Sequence, residues 1–244
     1  MKQTNVIRIV LNKLQKQLRL ETFASIVLLF IFISGGWYLY CEHFLFQGQD
    51  EEIVQKTLVD KAHDINGAAK KLDINQRLLA SVIYAELRLN VNLLDSFERV
   101  FASLGSNTST GLAQIRINTA KWIIDTVSDS NSCYSLEPQF YKWVPRYESR
   151  DDIIALLEKD STNCLLAALH LRQIIKRWKR GGFDIENRPD IIATLYSYGL
   201  FNRDDTSEIA PHAKPRRNFF GKVAADFFYS EKTPEFSKIH VVFY

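Results

Sequence analysis

The 244-residue chain is 46% hydrophobic and 12% aromatic, ample for a packed core in one large domain or two small ones. A formal net charge of +3 is too small to argue by itself for a nucleic-acid partner, so none is expected. His63, His170, His212 and His240 are scattered, and together with Cys41, Cys133 and Cys164 they show no zinc-ligand spacing. Neither a metal nor a cofactor is expected.

Residues 1–21 carry Lys2, Arg8, Lys13, Lys16 and Arg19 and read as a basic cytoplasmic segment. The uncharged run Thr22–Tyr40, about 19 residues long, is enough to cross a bilayer. Trp37, Tyr38 and Tyr40 form an interfacial belt at its far end, and the positive flank stays inside. The run exceeds a usual signal core and lacks an Ala-x-Ala site, so an uncleaved single-pass anchor is favoured over a cleaved signal peptide. Everything after Cys41 is then expected on the periplasmic or outer face of the cytoplasmic membrane. An oxidising compartment allows a Cys133–Cys164 disulfide; two buried free thiols are the alternative.

Residues 41–70 read as a linker, with a charged amphipathic helix from Asp50 to Lys71 (Ile53, Leu58, Val59 and Ala62 on one side). Residues 71–244 form the expected outer domain, with a C-terminal extension from about 205. Asp73 or Asn75 caps a strong helix through Leu78 to Glu86. Leu93, Leu94, Phe97, Val100, Phe101 and Leu104 predict a second helix over about 92–104. Gly105 to Gly111 is a polar turn region, and a helix is expected from Ile115 to Val127 with Trp122 and Ile123 inward. Residues 128–149 are irregular and aromatic-rich. Helices follow over 151–159 and 162–180, the latter ended by Gly181-Gly182. Arg188-Pro189-Asp190 starts another that runs into Tyr196. The phenylalanine-rich tail from Pro211 is expected to pack on the domain, and only 239–244 hints at a strand. The fold class is all-α.

Glu86 is the position that points to chemistry. Leu79, Val82 and Ile83 lie on its helix stripe, and a carboxylate continuing an apolar stripe is disfavoured as the anion. A raised pKa suits a general acid. The other reading is a helix-end Glu that snorkels to water or pairs with Arg88.

Downstream, Ser109-Thr110-Gly111-Leu112-Ala113-Gln114-Ile115 is followed by Thr119-Ala120. Asn163 opens the helix Asn163-Cys164-Leu165-Leu166-Ala167-Ala168-Leu169-His170-Leu171, and Ala193-Thr194-Leu195-Tyr196-Ser197-Tyr198-Gly199 comes later. With the Glu86 helix, these resemble, in order and over about residues 72–199, the lysozyme-like lytic transglycosylases of the soluble transglycosylase and goose-type lysozyme superfamily. The resemblance implies a lysozyme-like helical catalytic domain behind the anchor, acting on peptidoglycan glycan strands. It implies cleavage of the β-1,4 bond between N-acetylmuramic acid and N-acetylglucosamine. Glu86 would serve first as acid and then as base, closing a 1,6-anhydro ring.

The same resemblance implies substrate-binding roles for Ser109, Thr110, Gly111, Gln114, Tyr196 and Tyr198. Gly111 would let backbone approach the sugars. Gln114 would touch substrate or Glu86, or else fix its own loop. Tyr196 would hydrogen-bond Glu86 or sugar, or else serve as a core tyrosine. Three departures stand out: Leu87 replaces the family's Ser after the acid, Tyr198 replaces a small residue, and the stretch between Glu86 and Gly111 is long. That stretch carries Asp95 and Glu98, either of which could be a second carboxylate for a hydrolytic, lysozyme-type muramidase. A non-catalytic peptidoglycan-binding scaffold on the same fold is the alternative from another class. The basic run Arg172, Lys176, Arg177, Lys179 and Arg180 reads as the wet face of a helix C-terminus.

Overall fold

Asn75 starts the helix that carries Glu86. Its Oδ1 accepts from the Arg77 and Leu78 amides at 2.9 and 3.3 Å, satisfying two of the donors that a helix start leaves open. The computed structural model describes residues 49–89, 107–199 and 209–236, all inside the unit Gly48–Tyr244. The expected anchor at 22–40, Cys41, the helix at 92–104 with Asp95 and Glu98, and the strand at 239–244 lie outside the described residues. Among those described, no helix is long and apolar enough to cross a membrane.

Among the described residues the domain is all-α apart from one minimal hairpin. In chain order the elements are α1 (Glu51–Asp60), α2 (Ala62–Lys71), α3 (Gln76–Leu89), β1 (Ser109–Thr110), β2 (Ile115–Arg116), α4 (Ile117–Val127), a 3-10 turn (Pro138–Trp143), α5 (Arg150–Glu158), α6 (Asp160–Arg180), α7 (Pro189–Tyr198) and α8 (Phe219–Tyr229). Helix α3 is buried on nearly every side from Arg77 to Ala85, because α1, α2, α6, α7 and α8 all pack on it. The helix that the charge pattern suggested as a linker is two helices built into this core. Val54, Leu58, Ile65, Ala68 and Ala69 are sealed from solvent, and only the opposite side of α1, with Ile53 and Val59, stays exposed. The helix expected from Ile115 begins two residues later, because Ile115 and Arg116 are taken by the hairpin.

Local signals explain most boundaries. Ser149 and Asp152 form a reciprocal capping box at the start of α5. Pro189 occupies the first turn of α7, where its missing N–H is harmless. The basic side of α6 is engaged by the chain itself. Arg172 donates to the Asp73 carbonyl at 2.8 Å and lies 4.8 Å over the Phe140 ring. Lys176 pairs with Glu137 at 3.0 Å, Arg177 lies over Tyr134, and Arg180 donates to the Cys133 carbonyl at 2.9 Å. These contacts fold the irregular aromatic stretch 133–143 back onto α6. No disulfide joins Cys133 to Cys164, so that alternative is not realised.

The tail is fastened by one residue that the sequence did not single out. Arg77 is buried with no carboxylate partner among the described residues, and its guanidinium donates to the main-chain carbonyls of Phe227, Phe228, Ser230, Lys232, Thr233 and Phe236. These are the open carbonyls at the end of α8 and the turn beyond it, where a cation also meets the negative end of the helix dipole. Tyr84 stacks on Phe227 at 4.4 Å beside this junction. Arg77→Met would take the guanidinium donors from all six carbonyls; those of Phe227 and Thr233 keep the Ser230 and Phe236 amides, whereas those of Phe228, Ser230, Lys232 and Phe236 lose the bond that Arg77 makes. The expected loss is about 3 kcal/mol, a fall of roughly 6–12 °C in thermal midpoint for a domain of this size. Thermal denaturation of the full-length chain checks it.

Candidate active site

The turn Gly111–Gln114 is the rigid part of the site. Strands β1 and β2 pair Ser109 with Arg116 and Thr110 with Ile115, which leaves these four residues as the loop. Gly111 has φ +80° and Gln114 φ +47°, both left-handed, and the Gln114 amide closes the turn on the Gly111 carbonyl at 3.1 Å. Beneath it sits Asn163, in the first turn of α6 and fully buried. Its Oδ1 accepts from the Ala113 amide at 2.7 Å, and its Nδ2 donates to the Thr110 carbonyl at 2.9 Å and the Leu157 carbonyl at 3.0 Å. One side-chain amide thus holds both ends of the turn and the end of α5.

That geometry gives Gly111 a different reason from the one expected. A Cβ there would collide with the Asn163 amide and the Leu157 carbonyl, inside the protein. The glycine permits close packing on the clamp, on top of its positive φ. Gln114 fixes its own loop: its Nε2 donates to the Gly111 carbonyl at 3.1 Å and its Oε1 accepts from the Ser109 hydroxyl at 2.9 Å. The Thr110 hydroxyl is buried with no hydrogen-bond partner among the described residues.

Glu86 lies in the last turn of α3, largely buried. Burial pushes its pKa up to about 8, and the positive charge of Arg116 pulls the other way. Arg116 is on the exposed side of β2, opposite Ser109. Arg88, the partner considered from sequence, instead donates to the Gln49 carbonyl. Tyr196 feels the Glu86 charge, and burial together with that charge keeps its hydroxyl protonated. The hydroxyl donates to the Ala113 carbonyl at 2.8 Å, so Tyr196 ties α7 to the turn rather than binding the acid directly. His170 backs it, its ring 5.4 Å from that of Tyr196 and 5.9 Å from that of Trp122. Burial drives His170 down to about 4, so it is neutral here.

The structure therefore gathers Glu86, the turn with Ser109, Thr110, Gly111 and Gln114, and Tyr196. It leaves Tyr198 aside. Two residues past Tyr196, that side chain turns to a different side of α7 and is 52% exposed. Arg116 and Asn163 belong to this cluster, and sequence reasoning did not rank them. Asn163 was visible as the helix-opening Asn, whereas Arg116 carried no pattern of its own. No protein-family model matches the chain, and no curated protein matches it.

One proton linkage and one packing prediction follow. Glu86 releases its proton near its ordinary 4.5 when the chain is unfolded, and near 8 when it is folded. Between those values the folded state holds the extra proton, so this group's contribution to stability falls as pH rises. Glu86→Gln removes the penalty, and its thermal midpoint is expected to exceed wild type by more at pH 9 than at pH 5. Equal gains at both values would contradict a buried neutral carboxyl. Asn163→Leu strands the Ala113 amide and two carbonyls, with an expected loss of about 2–4 kcal/mol in denaturant titrations.

Proposed function

We propose that the chain is a membrane-anchored peptidoglycan lytic transglycosylase with a lysozyme-like catalytic domain and Glu86 as its single acid–base group. The observation that carries this reading is a carboxyl whose pKa burial raises to about 8, within electrostatic reach of Arg116, which flanks the clamped Gly-Leu-Ala-Gln turn, and of Tyr196, which bonds that turn. Support also comes from the sequence resemblance and from the apolar run at 22–40, which would place the domain where peptidoglycan is.

In this reading the Glu86 O–H protonates the oxygen that leaves with N-acetylglucosamine, and the muramoyl C1–O bond breaks. The positive charge at C1 is then captured by the O6 hydroxyl of the same muramoyl unit. Its proton passes to the Glu86 carboxylate, which regenerates the acid and leaves a 1,6-anhydro end. No water is consumed, and one group in one place serves both steps. Arg116 acts through Glu86 as a positioning residue, because its charge stabilises the carboxylate that exists between the two transfers.

Purified sacculi test the reading. Wild type is expected to release muropeptides whose ends are one water lighter than hydrolysed ends. Glu86→Gln is expected to lose about 10²–10⁴-fold in rate while remaining folded. Hydrolysed ends would replace the proposal with a muramidase, and an inactive wild type would replace it with a wall-binding scaffold. Because the acid must begin protonated, kcat/KM is expected to fall as pH rises through about 8. Arg116→Gln removes the group that lowers the Glu86 pKa. The alkaline limb should move upward in that variant, and kcat should drop at neutral pH. An unmoved limb would remove Arg116 from the mechanism.

A further inference from the structure

The tail before α8 is basic, and carboxylates are missing from it. From Ile209 to Ala225 there is no Asp or Glu, while Lys214, Arg216 and Arg217 fall within four positions. All three are exposed. The segment is held at both ends. On one side Pro211 rides on Gly181, where a Cβ would come within 2.7 Å of it, and the His212 ring lies 5.4 Å from buried Trp178. On the other, Asn218 caps α8 by accepting from the Gly221 amide at 2.8 Å, and donates to the Ser197 hydroxyl at 3.0 Å.

These contacts bring the basic segment against the C-terminal end of α6, where Lys179 is also exposed. Four cations from two distant parts of the chain thus share one end of the domain. No carboxylate among the described residues pairs with any of them. Lys222 in α8, by contrast, is committed to Asp226 at 2.6 Å. Immediately after the basic segment comes Phe219, 69% exposed. The Asn218–Ser197 bond sets the end of α7 beside it, with Tyr198 52% exposed.

We propose that Lys179, Lys214, Arg216 and Arg217, with Phe219 and Tyr198, form a docking face for an anionic lipid surface. Uncommitted cations complement phosphate headgroups, and an amphipathic aromatic beside them suits the headgroup layer. A soluble polyanion would use the charges but leave Phe219 without a purpose. This face is separate from the Glu86 turn and does not depend on the catalytic reading. It also accounts for Tyr198, which the structure leaves out of the site.

The test uses the full-length chain in nanodiscs of phosphatidylcholine alone or of phosphatidylcholine mixed with phosphatidylglycerol. Amide hydrogen exchange is followed over residues 209–219. The expected result is several-fold slower exchange in the anionic discs only, lost when salt screens the charges. The variant Lys214→Gln/Arg216→Gln/Arg217→Gln should also lose it, while keeping the wild-type thermal midpoint. Phe219→Ser should weaken the protection without changing its salt dependence. Equal exchange in the two discs, or slowing in both, overturns the proposal. Protection by a short DNA duplex with none from phosphatidylglycerol overturns it in favour of a nucleic-acid surface. The salt comparison on wild type alone decides the matter should the triple variant not fold.

Discussion

The buried amide of Asn163 is the contact on which the site depends. A turn with two residues in left-handed conformations does not hold itself in water, because each open amide and carbonyl has solvent as an alternative partner. Asn163 removes that choice by bonding the Ala113 amide and the Thr110 carbonyl from inside the protein. It also takes the Leu157 carbonyl, so α5, α6 and the turn meet at one side chain. Gly111 is then required for a packing reason, since any larger residue would push the turn off its clamp. Tyr196 completes the arrangement from above through the Ala113 carbonyl. The same α6 that supplies the clamp at its start fastens the aromatic stretch with Arg172, Lys176 and Arg180 further along.

Two groups kept neutral by burial flank Tyr196 and act on stability in opposite directions. Glu86 makes the fold weaker as pH rises from 4.5 towards about 8. His170, pushed from 6.5 down to about 4, makes the fold weaker as pH falls through that interval, because the unfolded chain takes up the proton first. Among the described residues His170 Nδ1 has no hydrogen-bond partner, so protonation would place a charge among Trp122 and Tyr196 with only the Gln173 side chain to offset it. Between about 4.5 and 6.5 the two slopes offset each other. Tyr196 is therefore best held at mildly acidic pH, between about 4.5 and 6.5, where Glu86 also carries its proton.

Much of this was legible in the chain, and the parts that were not share a cause. Helix starts and stops at Asn75, Ser149, Gly181 and Pro189 are local signals, decided within a few residues. Glu86 showed itself as a polar residue on an apolar stripe. Residues 51–71 read as a linker because they are rich in charge, yet Val54, Leu58, Ile65 and Ala68 recur at spacings that bury one side once partners are present. Arg77 looks like any helix-start cation until six distant carbonyls surround it. Gly111 and Gln114 were placed in the right turn, but their reasons lie below it, in Asn163, and within it, in Ser109. Tyr198 lies on a different side of α7 from Tyr196, because an offset of two on a helix selects another side, which a motif match does not register. Pattern locates elements; the identity of a long-range partner is set by the fold.

Glu86 sits where three fields add. Burial disfavours its anion, and its place in the last turn of α3 adds the negative end of that helix's dipole. Both effects hold the proton on. Acting alone they would make a good proton store and a poor base, since the carboxylate that the proposed first transfer would leave is too unstable to form. Arg116 across the turn works against them, and being exposed it does so weakly. A stronger, buried ion pair would drop Glu86 back into the ordinary carboxylate range and empty it of its proton at neutral pH. An exposed, solvent-screened cation leaves it protonated at rest while lowering the energy of its charged state. In the proposed reaction, where one group would give a proton and then take one back, an intermediate field of this kind would suit both halves.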